Sequence, residues 1–133
     1  MKKLLVLVMV LAMCLALTAC GDIENFEENL EAGYSVSELS DSMMSSYALL
    51  MSADMDDFDV QNTLYATHKV RGISVAIIEC GSFKKAAELE DKADVIVDKL
   101  EKSYSYEYSF SVVRRGSFVL IGEDDAIDDA LGR

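Results

Sequence analysis

The chain has no proline and no tryptophan, a single histidine (His68) and three cysteines among 133 residues. Without proline there is no proline-rich linker, and without tryptophan there is no Trp-lined binding face. One histidine excludes zinc sites built on two or more imidazoles. Of the three cysteines, Cys14 lies in an apolar leader, so only Cys20 and Cys80 remain beyond it, and if the Cys20 sulfur is modified Cys80 has no partner and no disulfide framework is possible. The glycines form neither Gly-x-Gly-x-x-Gly nor Gly-Lys-Ser/Thr, and no serine stands in a Gly-x-Ser-x-Gly elbow. Phosphate cradles and hydrolase elbows therefore find no support.

Positive charge is also scarce: twelve Lys and Arg against twenty-four Asp and Glu, a formal net charge of −12. Lys2 and Lys3 belong to the leader, so the rest of the chain is more acidic still. Such a surface repels nucleic-acid phosphates and anionic headgroups, so nucleic acid is not an expected partner.

What is present begins with an export-type leader. Lys2 and Lys3 precede an uncharged run from Leu4 to Leu17, and Thr18, Ala19 and Cys20 follow. The run is shorter than the roughly 20 residues a membrane-spanning helix needs, and suits a signal h-region. Leu17-Thr18-Ala19-Cys20 resembles the lipobox of bacterial lipoproteins. The resemblance implies cleavage between Ala19 and Cys20, with lipid on the Cys20 sulfur. It implies a membrane partner through that lipid, and placement on the extracytoplasmic face of the cell membrane. Residues 1–19 then form a signal peptide and residues 20–133 one extracytoplasmic domain. The segments Leu30-Glu31-Ala32-Gly33-Tyr34-Ser35-Val36 and Arg115-Gly116-Ser117-Phe118-Val119-Leu120-Ile121-Gly122 are similar to stretches of small Gram-positive lipoproteins of no settled activity. No functional residue beyond Cys20 carries over from that likeness.

Apolar periodicity organises the remainder. Ile23, Phe26 and Leu30 predict a short helix over residues 22–32, and alternation over 34–39 predicts a strand. Residues 41–52 read as a helix, and 54–62 as a loop or helix end. The runs 63–70 and 73–80 flank Arg71-Gly72 as a hairpin. Ser82 caps a long helix to about Lys102, with apolar residues at spacings of three and four. Residues 106–113 and 117–121 form a second hairpin about Arg115-Gly116, and 123–131 a closing helix with an acidic first turn. Residues 71–79 and 115–123 align forty-four positions apart, which suggests two repeated units. The expected fold is α+β: a two-layer sandwich with an antiparallel sheet of two hairpins plus one strand. Its helices pack on one face, ferredoxin-like by analogy.

Four groups are candidates for chemistry. Asp54, Asp56, Asp57 and Asp59 are weak metal candidates. The calcium-loop pattern fails, because Phe58, Asp59 and Tyr65 stand where an oxygen ligand, glycine and glutamate belong, so a solvated loop is favoured. His68 on a strand reads as an ordinary sheet residue, with a lone general base as the alternative. Cys80 closes an apolar strand and reads as buried, with a thiol activated by the following helix as the alternative. Tyr104, Tyr106, Tyr108 and Phe110 alternate as on one sheet face, packed under the long helix or exposed for stacking, with packing favoured. No cofactor is expected. The sequence favours a non-catalytic binding module with a protein partner. An acidic-loop cation or small-ligand sensor and an enzyme using His68 or Cys80 are the rivals.

Overall fold

A computed structural model describes residues 23–133, so the leader, Ala19 and Cys20 lie outside the described residues. The order is α1 (Ile23–Leu30), β1 (Tyr34–Ser37), α2 (Asp41–Met51), a 3-10 turn (Met55–Phe58), β2 (Asn62–His68) and β3 (Ser74–Glu79). Then follow α3 (Phe83–Ser103), β4 (Phe110–Arg115), β5 (Phe118–Glu123) and α4 (Asp124–Ala130). The five strands form one open antiparallel sheet in the order β1-β2-β3-β5-β4.

The α+β class holds, with two hairpins and one added strand. Strand β4 is parallel to β3 and reached through α3, with β5 paired between them. This split crossover is what the ferredoxin-like analogy calls for. Strands β1 and β2 are adjacent and antiparallel, so they make no second one.

The helices divide between the two faces of the sheet. Ala76, Ile78, Val119 and Ile121 face α2, the 3-10 turn and α3, in a core with Phe58, Leu89 and Ile96. Val75, Ile77, Phe118 and Leu120 face α1 and α4, in a second core with Phe26, Leu30 and Ile127. Strands β3 and β5 alternate between two dry faces, which is why both read as unbroken apolar runs. Each large apolar side chain so buried contributes about 1.5–3 kcal/mol.

The aligned stretches do not occupy equivalent places. Val75 and Ile77 lie in the second core, whereas their counterparts Val119 and Ile121 lie in the first. The helices that follow, α3 and α4, cover opposite faces accordingly. What the stretches share is local: each contains an Arg-Gly turn with a left-handed glycine, Gly72 at φ 71° and Gly116 at φ 62°.

The helix signals read from the sequence are mostly met. Ser82 Oγ accepts from the Lys85 N–H at 3.1 Å, capping α3 as expected. In α2 the cap is Ser40, just before the expected start at residue 41, and it accepts from the Met43 N–H.

The pairing registers define two ends of the sheet. Tyr34, His68, Ser74, Phe110 and Glu123 stand at one, here called the tyrosine end. Ser37, Asn62, Glu79, Arg115 and Phe118 stand at the other, the acidic-turn end. Ile23 and Glu27 of α1 border the same depression as Ser37, Glu38 and Asn62, so α1 starts at the acidic-turn end.

Candidate functional site

The acidic turn is built from its own side chains. Asp54 caps the 3-10 turn, accepting from the Asp56 N–H at 3.0 Å, while Asp57 Oδ2 accepts from the Asp54 N–H at 3.4 Å. Asp59 is left-handed at φ 49°, accepts from Gln61 Nε2 at 2.9 Å and lies against Gly81. Three of the four weak metal candidates are thus engaged in shaping the turn. Among the described residues, no group of three or more His, Cys, Asp or Glu is placed to hold a metal ion.

Cys80 is 2 % exposed and free. Burial, and then the negative charges of Glu79 and Asp59, push its thiol up to about 11. Nucleophilic chemistry needs the thiolate, so the buried reading of this residue is the one the structure supports. His68 stands at the other end of the sheet from Cys80. Its Nδ1 accepts the N–H groups of Val70 and Arg71 at 3.1 and 2.9 Å, and its ring meets Tyr34 edge-on at 5.0 Å. The histidine therefore closes the β2–β3 loop. The two side chains considered for catalysis do not converge.

The tyrosine stretch differs from the expected strand under the helix. Helix α3 runs to Ser103, and the chain then turns through left-handed Ser105 and Tyr106, at φ 55° and 60°. Strand β4 starts only at Phe110. Phe110 is buried, but Tyr104 and Tyr108 are about half exposed and Tyr106 is 67 % exposed. Tyr104 packs edge-on to Tyr108 at 5.5 Å and lies tilted over Phe110 at 5.6 Å. The rings thus support one another on the surface.

Beside these rings lies a cavity of about 440 Å³ whose lining includes Arg71, Glu107, Tyr108, Glu123, Asp124 and Asp125. Glu123, the last residue of β5, is 8 % exposed and is the buried charged residue of the described chain. Burial raises its pKa, while a hydrogen bond from the Ser74 backbone and the charge of Arg71 act the other way. Arg71 itself bridges Asp125 at 2.6 Å, and Ser111 Oγ donates to Asp124 at 2.5 Å. The lining therefore holds four carboxylates against one guanidinium, and that guanidinium is already paired.

The sequence reading singled out the tyrosines but missed Glu123 as a buried group. Its only sequence signal was an acid at the end of an apolar strand, which also describes an ordinary helix start. Compared with protein-family models, curated proteins and solved structures, the chain matches none.

Proposed function

We propose that this chain is a lipoprotein of the extracytoplasmic membrane face, anchored through lipid on Cys20, and that its domain is a non-catalytic binding module. The observation that carries the anchor is the leader itself. A dibasic start, an uncharged run and Leu17-Thr18-Ala19-Cys20 stand immediately before the folded domain. Among the described residues no helix is long and apolar enough to cross a membrane, so in this reading attachment rests on the acyl chains. Two or more such chains hold stably where one binds reversibly.

The binding-module reading is favoured over its rivals by the geometry. The acidic turn is closed by its own capping bonds, which leaves the cation-sensor reading with little to bind. His68 Nδ1 is taken up by the Val70 and Arg71 N–H groups, and Cys80 is buried with its thiol pushed up, which weighs against an enzyme using either one. The exposed tyrosines beside an acidic cavity are surplus to the fold and available to a partner.

Intact-mass measurement of the membrane fraction tests the anchor. The expected species begins at Cys20 and carries acyl mass; Cys20→Ala is expected to abolish the acyl mass and release the chain from membranes. A wild-type chain recovered without acyl mass would overturn the proposal.

A further inference from the structure

We infer that the tyrosine end is a docking surface for a Lys- or Arg-bearing segment of a partner protein, held away from the bilayer. Tyr104, Tyr106 and Tyr108 provide stacking faces for the segment, and the Glu123 cavity receives one of its cationic side chains. The inference deepens the binding-module reading and takes its orientation from the Cys20 anchor.

Two independent features meet at this end. One is aromatic: three tyrosines exposed in a turn that the core uses only through Phe110. Aromatic faces attract ammonium and guanidinium groups, Arg above all. The other is the cavity, where Glu107, Glu123, Asp124 and Asp125 outnumber Arg71. The depressions bordered by Val36 and Asn62, by Glu24 and Glu31, and by Leu49 and Ser52 have neither an aromatic wall nor a buried carboxylate.

Charge complementarity selects the occupant. A second copy of so acidic a chain would bring like charge against like, and an anionic polymer would be repelled in the same way. The bilayer is placed at the wrong end. Cys20 precedes Ile23 by three residues, a reach of at most about 10 Å, and Ile23 lies at the acidic-turn end. The six-residue strands then carry the tyrosines about 20 Å farther out.

The test uses the full chain in non-ionic micelles, titrated calorimetrically with a nonapeptide of alternating arginine and serine. A matched peptide with glutamate in place of arginine serves as control. Binding of the arginine peptide alone is expected. Tyr106→Ser with Tyr108→Ser is expected to weaken it about tenfold. Glu123→Gln is expected to weaken it about threefold, since one buried charge is removed while the Ser74 hydrogen bond can persist. Glu27→Gln with Glu28→Gln, which removes two charges on α1, should leave it within about twofold. No binding by the wild type, or equal losses in all three variants, would overturn the surface. The failures are distinguishable because the mass of the same preparation reports the anchor. An acylated chain that ignores the peptide refutes this surface alone, whereas an unacylated chain that binds it supports the surface and refutes the anchor.

Discussion

The two ends of the sheet are both rich in carboxylates, yet they spend them differently. At the acidic-turn end, Asp54, Asp57 and Asp59 each accept a hydrogen bond from within residues 54–61. At the tyrosine end, Glu123 is sunk beside a cavity and three rings stand in solvent. Acidic composition alone says little about binding. What separates the two ends is where the donors come from: within one short turn at the first, and from Ser74, Ser111 and Arg71 in separate parts of the fold, around a cavity, at the second.

The strongest way to break the comparison is to place a methyl group in each end. At Gly122 a Cβ would collide with the Ser74 carbonyl and come within 2.7 Å of the Val75 Cα, both backbone atoms of the central pairing. Gly122→Ala is expected to destabilise by about 3 kcal/mol or more, read as a fall in the urea midpoint. At Gly81 the obstacle is the Asp59 side chain, whose carboxylate can swing into solvent while its Cβ, at 2.9 Å, needs only a small shift of an exposed turn residue. Gly81→Ala should therefore cost much less, about 1 kcal/mol. Equal losses would mean that the acidic turn is as rigid as the sheet.

Next in size are the caps. Ser82→Ala and Asp54→Ala each remove one accepted backbone bond and should each cost about 1 kcal/mol in the same measurement. Smaller still is the pH response of Glu123. Its carboxyl is raised in the native state, so folding favours the protonated form. Its contribution is fully present below the unfolded glutamate value and declines as pH rises through the native one. Glu123→Gln is expected to flatten that decline in thermal melts across mildly acidic pH, provided the amide keeps the Ser74 contact. The smallest effect belongs to Tyr106→Ser, expected to shift stability by less than about 0.5 kcal/mol because the side chain is 67 % exposed. A large loss there would make the tyrosine turn part of the core and remove the contrast between the ends.

Legibility from sequence followed the same physical divide. Helix α3 was readable because Ala86, Leu89, Ala93 and Ile96, all fully buried, repeat at helical spacing behind a serine cap. The β2–β3 hairpin was readable from two apolar runs about Arg71-Gly72. The tyrosine turn was not. Alternating rings imitate a strand, and the left-handed residues that break it are Ser105 and Tyr106, types that give no such signal. Dispersal of helices over both faces was also hidden. The runs in β3 and β5 are apolar without alternation, and such runs fit one buried layer or two. The Glu123 cavity depended on tertiary placement of Arg71 and Glu107 beside the end of β5, and no short pattern encodes that.

Strand β5 sends Val119 and Ile121 to one core and Phe118 and Leu120 to the other, and it enters the sheet between strands laid down earlier. Its partner β3 lies on the far side of the whole of α3, so the central pairing closes a long loop and waits for the last quarter of the polypeptide. A nascent chain that has not yet reached Phe118 thus has neither interior complete. Packing of both cores is thereby deferred to the arrival of one late strand.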